Sequence, residues 1–351
     1  MRVDQVLCAA GPVDAVTNQA LAYRALFRRW GFSGEDYAPV QAAGMARGAI
    51  RHLRELAAAP DVPLVLHYSG YARGLERALA DRRRTLLVFH NITPSRYFWA
   101  IDPAEAVRCE LAGTQLAELA RGVELLAGVS EFNARELSRL AGREAGVIPI
   151  LFDRGSMPAA PPLRTAPDGA ATVMFVGRLV PHKRQDLVIR AFARFRRVYA
   201  PQARLVLVGT PLSPEYGTVL CDLAALLAPG AVAFESGLSA DRLWERYRSA
   251  DAFLCLSDHE GFCIPLLEAL HFGVPVIARD AGAVAEVVGD AGALVEEGDG
   301  PGVLAELLRI VIGDPELRAE LAARGRSRLQ EYDYDRTAAG LRGQLDRLLA
   351  G

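Results

Sequence analysis

The sequence predicts an α/β protein made of two doubly wound, Rossmann-like domains facing one another across a cleft. Three observations predict it. Short β-branched runs alternate with longer helical patterns along the whole chain, the signature of strand–helix–strand units around parallel sheets. The 351 residues, 51% of them hydrophobic, are too many for one compact core. Residues 157–170 carry four prolines and no usable apolar period, so they read as an interdomain linker between two sets of strands.

The buried strands expected before the linker are Val3 to Ala10, Pro63 to Leu66, Thr85 to Phe89, Glu124 to Gly128 and Gly146 to Ile150. Those after it are Thr172 to Val176, Arg204 to Val208, Ala231 to Phe234, Ala252 to Leu256, Val274 to Ala278 and Gly292 to Val295. Residues 1–156 thus form the first domain and 171–334 the second. Residues 335–351 read as a final helix with the option of packing back across the linker onto the first domain. In doubly wound sheets, ligands gather at the carboxyl ends of the strands.

A net charge of −2 supplies no basic field for a nucleic-acid backbone, so nucleic acid is not the expected ligand. Cys8, Cys109, Cys221, Cys255 and Cys263 are scattered, odd in number and without a CxxC pair, which fits free thiols in a reducing cytoplasm and no structural zinc. The apolar Val3 to Ala10 carries Asp4 and reads as a strand, not a secretory segment. No apolar run approaches the roughly eighteen residues of a membrane span. Tyr23 to Trp30 mixes aromatic and basic residues at helical spacing, and two readings stay open: an interfacial helix giving peripheral membrane association, or a surface helix packing Leu26 and Trp30 inward.

The exit of the first strand, Ala10-Gly11-Pro12-Val13-Asp14, lacks the spaced glycines of a dinucleotide fingerprint, and no Walker A pattern precedes a lysine. The exit of Thr172 to Val176 is more informative. There Gly177-Arg178 is followed by Lys183, the only lysine in a chain that otherwise uses arginine. A compact ammonium at a strand exit suits a phosphate that a planar guanidinium would have to grip bidentately.

A second pattern follows Ala252 to Leu256: Ser257-Asp258-His259-Glu260-Gly261-Phe262-Cys263-Ile264-Pro265-Leu266-Leu267-Glu268. Pro265 suits a first helical turn, so a helix is expected to begin near Ile264, with the amides of Phe262, Cys263 and Ile264 offered to a diphosphate. If helical spacing held over the eight positions from Glu260 to Glu268, the carboxylates would lie about 12 Å apart along the axis and bracket an elongated ligand.

These residues resemble family 4 of the retaining glycosyltransferases, which have the GT-B fold. The likeness lies in the Glu-x7-Glu pair Glu260 and Glu268, in the Gly177-Arg178…Lys183 element, and in Phe272-Gly273-Val274-Pro275-Val276-Ile277. It implies that Arg178 and Lys183 neutralise the diphosphate of a nucleotide-sugar donor, that Glu260 bonds a hexose hydroxyl, and that Glu268 bonds the ribose. Gly177 belongs to the donor side, the backbone of Gly261, Phe262, Cys263 and Ile264 would hold sugar and phosphate, and Gly237 and Leu238 would touch the nucleobase.

In the first half the resemblance persists in Phe89-His90-Asn91-Ile92-Thr93-Pro94 and Gly128-Val129-Ser130-Glu131. It places His90 beside the reacting sugar; a strand-end histidine satisfied by backbone is the alternative. Ser130 reads as a helix N-cap. The loop Gly11-Pro12-Val13-Asp14 departs from the paired glycines of many members and resembles a Gly-Asp-Ala-Val subgroup, making Asp14 and Asn18 acceptor contacts. Cys263 stands where many relatives have glycine, and its amide is expected to matter more than its thiol.

Asp333-Tyr334-Asp335 imitates a metal-binding Asp-x-Asp but reads as a helix cap. Arg178, Lys183 and a helix dipole supply about two and a half positive charges, so neither metal nor cofactor is expected. The resemblance therefore implies a cytoplasmic, metal-independent, retaining transfer of a hexose from GDP-mannose or a UDP-sugar to a glycan or lipid-linked glycan in polysaccharide biosynthesis. An epimerase, a phosphorylase or a non-catalytic binding homologue are the alternatives.

Overall fold

The computed structural model describes residues 1–12, 14–46, 48–56, 61–80, 84–161 and 170–350. Most of the expected linker, 162–169, lies outside the described residues, as does Val13 of the first loop. The chain divides into two compact units, Met1–Leu151 with Tyr332–Gly351, and Phe152–Glu331.

The first unit runs β1 (Asp4–Leu7), α1 (Ala15–Arg29), β2 (Asp36–Ala38), β3 (Arg51–His52), β4 (Leu64–Tyr68), α2 (Leu75–Leu79), β5 (Thr85–Phe89), α3 (Pro103–Gly122), β6 (Leu125–Gly128), α4 (Glu131–Ala141) and β7 (Gly146–Val147). Among the described residues these strands form one sheet of order β3-β2-β1-β4-β5-β6-β7, parallel throughout. The sequence pattern missed β2 and β3 because neither is a β-branched run. β2 is Asp36-Tyr37-Ala38, whose buried aspartate is held by Arg24 of α1 at 2.7 Å. β3 is two residues at the sheet edge.

Within the segment 23–30, Leu26 packs inward, as the surface-helix reading expects. Tyr23, Leu26 and Phe27 are buried, so the apolar face of α1 is used within its own unit. Trp30 is half-buried just beyond the helix, with the Arg342 guanidinium 5.5 Å from its ring centroid. No helix among the described residues is long and apolar enough to cross a membrane.

The second unit runs β8 (Thr172–Val176), α5 (Gln185–Val198), β9 (Arg204–Val208), α6 (Pro214–Leu227), β10 (Val232–Glu235), α7 (Ala240–Ser249), β11 (Ala252–Cys255), α8 (Ile264–His271), β12 (Val276–Arg279), α9 (Val284–Val288), β13 (Gly292–Val295), α10 (Pro301–Gly313) and α11 (Pro315–Glu331). Its sheet, of order β10-β9-β8-β11-β12-β13, is again parallel throughout. Such strands are covered on both faces, which explains the near-continuous apolar runs. Val173, Phe175, Leu205, Leu207 and Leu254 pack with Phe192 of α5 and Leu308 of α10 in one core. Residues 158 and 159 are clasped to this unit, the carbonyl of Pro158 bonded to His271 and that of Ala159 to Arg248.

The final helix, α12 (Tyr334–Ala350), returns to the first unit. It buries Leu341, Leu345 and Leu348, and its Leu349 carbonyl accepts from Arg84 at 3.1 Å.

Candidate functional site

In the second unit the strand order reverses between β8 and β11, and the two strand exits at that point carry the motifs. Gly177 ends β8 with φ +147°, and a Cβ there would lie 3.3 Å from Phe175 and 3.5 Å from the Lys183 side chain. Glycine thus lets Lys183 fold back over the strand end. The chain then places Arg178 on the exposed side and makes one 3₁₀ turn, Pro181–Lys183, ahead of α5. Gln185 holds this loop by donating to the Arg178 carbonyl at 3.0 Å.

The Lys183 ammonium lies 2.6 Å from Oε1 of Glu260. Ser257 donates to the same oxygen at 2.7 Å. The Glu260 carbonyl accepts from Ala283 at 2.9 Å, and a Cβ on Gly282 would lie 2.2 Å from that carbonyl oxygen, so only glycine fits where the next loop crosses. Burial acts to lower the Lys183 ammonium, but the Glu260 carboxylate outweighs it and holds the group raised. Burial likewise acts to raise Glu260, and Lys183 with Ser257 overcomes it, leaving the carboxyl low. Both are therefore charged near neutral pH. Beside them, Asp258 is gripped by Arg184 at 3.4 Å and more closely by Arg279, and its amide donates to the His182 carbonyl at 2.7 Å.

This pairing corrects the expected charge count. Lys183 shares its charge with Glu260, so Arg178, Lys183 and Glu260 together carry about one net positive charge plus roughly half from the helix, not two and a half.

A second correction concerns the carboxylates. α8 begins at Ile264 with Pro265 in its first turn, as the sequence predicts, but Glu260 lies in the loop before it. The 12 Å helical spacing therefore does not apply. Gly261, Phe262 and Cys263 complete the loop, and Cys263 has φ 73°, a left-handed conformation uncommon for any side-chain-bearing residue. First-turn amides of a helix lack intrahelical acceptors and present a positive dipole end.

Glu268 sits on α8, where the Tyr247 hydroxyl of α7 donates to its Oε2 at 2.6 Å. Burial pushes the Glu268 carboxyl up to about 6, with the Tyr247 bond opposing. Tyr247 is itself fixed by stacking on Phe272, ring centroids 5.6 Å apart. Gly237 and Leu238 form the loop before α7, whose cap is Ser239, accepting from the Arg242 amide. α7 thus joins the expected nucleobase loop to Glu268. Sequence reading missed Tyr247, an aromatic on an amphipathic helix that carries no motif, and gave no role to Ser257 at the head of the second pattern.

In the first unit, His90 follows β5 and its Nε2 lies 3.0 Å from Nδ1 of His67 on β4. The backbone-satisfied alternative for His90 is thereby replaced by a side-chain partner. His67 Nε2 is 2.9 Å from Oε1 of Gln5. The amide nitrogen of Gln5 donates to the Ala20 carbonyl at 2.9 Å and to Asp36 at 2.8 Å, both pure acceptors, so its oxygen must face His67. His67 is consequently protonated on Nε2 and accepts at Nδ1, His90 donates from Nε2, and His90 keeps Nδ1 as its acceptor. Burial, then the neighbouring His90, lowers His67, and burial lowers His90 to about 3, so both rings are neutral. The chain of bonds ends on the buried Asp36–Arg24 pair. Neither His67 nor Gln5 had a sequence signal, since both lie inside apolar strands.

Asp14 and Asn18 stand differently from each other. Asp14 caps α1, its Oδ2 accepting from the Thr17 amide at 2.7 Å and hydroxyl at 2.8 Å, whereas Asn18 is exposed on the first turns. Ser130 caps α4 through the Asn133 amide, as expected. Asp333 accepts from the amides of Asp335 and Arg336 at the start of α12, the capping role expected for it.

Residues 161–328 match the family model described as Glycosyl transferases group 1. The matched stretch lies within the second unit. Among curated proteins, the chain is 36% identical over 182 residues to a D-inositol 3-phosphate glycosyltransferase of Salinispora arenicola, covering 50% of this chain and 41% of that protein. The chain spans about half the length of the curated relatives it matches. Among solved structures, a sucrose-phosphate synthase of Thermosynechococcus elongatus superposes with TM-score 0.77 at 17% identity, covering 99% of each chain. Anabaena HepE in complex with UDP and glucose gives 0.76 at 19%, covering 99% of this chain and 100% of that one. These establish the fold as that of GT-B glycosyltransferases, with two Rossmann-like parallel-sheet domains. The curated relatives carry an inositol phosphate name, where the resemblance had pointed to surface-polysaccharide enzymes.

Proposed function

We propose that this protein transfers a hexose from a nucleotide diphosphate sugar to an acceptor hydroxyl, with retention at the anomeric carbon and without a metal ion. The observation that carries the reading is the Lys183–Glu260 pair at the β8/β11 switch point, beside Arg178 and the N-terminus of α8. Arg178 and Lys183 take the diphosphate, Glu260 a sugar hydroxyl and Glu268 the ribose. The backbone of Gly261, Cys263 and Ile264 supports the sugar phosphate, and Gly237 and Leu238 flank the base. In a front-face displacement the bond to the leaving phosphate breaks while the acceptor oxygen bonds the same face, and the acceptor proton passes to that phosphate. Catalysis then rests on leaving-group stabilisation and positioning.

His90, through its Nδ1 acceptor, and Asn18 serve the acceptor side; Asp14 contributes by shaping the turn it caps. The relatives' name makes an inositol phosphate one acceptor class to be tried beside glycans and lipid-linked glycans. The test is acceptor-dependent release of nucleoside diphosphate from UDP-, GDP- and ADP-sugars in excess chelator. Release with phosphate alone would mark a phosphorylase, sugar interconversion without acceptor an epimerase, and binding without turnover a non-catalytic homologue. Loss of transfer in chelator, restored by magnesium, would refute metal independence.

A further inference from the structure

We propose that Cys255, Cys263 and Glu260 form a binding site for one thiophilic cation, represented by Zn²⁺, whose occupancy shuts the donor site. The metal-binding part stands on the geometry of these three residues; the shutting part rests on the transfer reading above.

One ligand atom from each of the three residues can be chosen so that all lie within 4.8 Å of one another. Tetrahedral zinc bound by two thiolates and a carboxylate needs ligand atoms roughly 3.5–3.8 Å apart, from bond lengths of about 2.3 Å to sulfur and 2.0–2.2 Å to oxygen. Small side-chain rotations close that gap. Cys255 ends a buried strand and is 1% exposed, and the cluster as a whole is buried.

Two further observations support the site. Cys263 adopts φ 73°, a left-handed conformation that glycine takes freely and a side chain does not. A residue kept in that conformation with its thiol beside a second buried thiol points to a use for the sulfur. The charge balance is also favourable. The empty cluster, with both thiols protonated, is neutral because Lys183 offsets Glu260. Loading breaks two S–H bonds, forms two Zn–S bonds and one Zn–O bond, and releases two protons, so a dication replaces two protons and the buried cluster stays neutral. Glu260 and the loop through Cys263 are then held by metal and withdrawn from the sugar and phosphate.

The test uses the full chain with the partly exposed Cys109, the exposed Cys221 and the buried Cys8 of the first unit replaced by serine, so that signals report on the pair. Cobalt titration should give a thiolate-to-metal charge-transfer band saturating at one equivalent and bleached by zinc. Zinc calorimetry in buffers of different ionisation enthalpy should show roughly two protons released. Cys255→Ala and Cys263→Gly should each lower affinity at least about a hundredfold. Zinc should inhibit transfer by the parent chain, while Cys255→Ala stays active and insensitive. Absence of the band, or undiminished affinity in Cys255→Ala, would overturn the site. A band with zinc-indifferent transfer would overturn the shutting role. A parent chain that bound cobalt but, when freed of metal, transferred no sugar to any acceptor would refute the transfer reading and leave the metal site standing.

Discussion

The two units use the same parallel doubly wound plan, yet they spend their buried polarity differently. In the first unit a line of neutral hydrogen bonds runs from His90 through His67 and Gln5 to a buried ion pair, so its strand-exit group is an uncharged ring. In the second unit the charges stand at the strand exits themselves, as Lys183–Glu260 and Asp258 between two arginines. The first arrangement orients an acceptor atom without adding charge. The second would offer cations to the anionic donor of the proposed transfer. Under the proposed transfer, that difference would divide an acceptor-orienting unit from a donor-binding unit.

Five experiments would break or sharpen that comparison. The largest effect should come from Lys183→Arg, which keeps the charge but replaces a point donor folded under Gly177 with a planar fork; kcat should fall at least about a hundredfold. Near wild-type turnover would remove Lys183 from the phosphate. Glu260→Gln should reduce transfer by a comparable factor while leaving nucleoside diphosphate affinity within a fewfold. It should also lower stability by about 1–3 kcal/mol, read from Tm, because the buried ammonium loses its charged partner.

Glu268 gives a pH signature. Its folded pKa of about 6 lies above the ordinary 4.5, so the folded state favours the protonated carboxyl. Its contribution to stability is present below the ordinary value and is lost as pH rises from about 4.5 through 6. Nucleotide affinity should run oppositely, rising several-fold as the carboxylate forms to accept ribose hydroxyls. Calorimetry across pH 5 to 7, at about half-unit steps, should show that rise in the parent chain and none in Glu268→Gln. A flat parent profile would assign Glu268 to Tyr247 alone.

In the first unit, His67→Phe should lower kcat roughly tenfold with donor KM unchanged, because it frees the His90 ring while leaving the second unit intact. An effect on donor KM would dissolve the division between units. Smallest of all, Asp333→Asn should leave both Tm and activity within experimental error, since asparagine caps a helix as well as aspartate.

The reach of sequence reading follows the same divide. β5, β8, β9 and β13 have the bounds their β-branched runs predict, and α8 starts where Pro265 allows. β2 was invisible because its place comes from the Asp36–Arg24 contact, a tertiary interaction with no local period. The donor motifs were legible as residue types at fixed spacing, but their pairing was not. That Lys183 meets Glu260 rather than standing free depends on two strand exits becoming neighbours in the sheet. The His67–Gln5 line was hidden for a similar reason: polar side chains within buried strands look like ordinary strand members until adjacent strands bring them together.

The central claim is that Lys183 and its surroundings recognise the second phosphate of a nucleotide. The direct measurement is calorimetry of matched nucleoside monophosphates and diphosphates, for uridine, guanosine and adenosine, on the parent chain and on Lys183→Ala. One base should show tighter binding of the diphosphate by at least about tenfold, and Lys183→Ala should erase that increment while leaving monophosphate affinity nearly unchanged. Equal affinity for the two phosphates in the parent chain, or an increment that survives the substitution, would contradict the account.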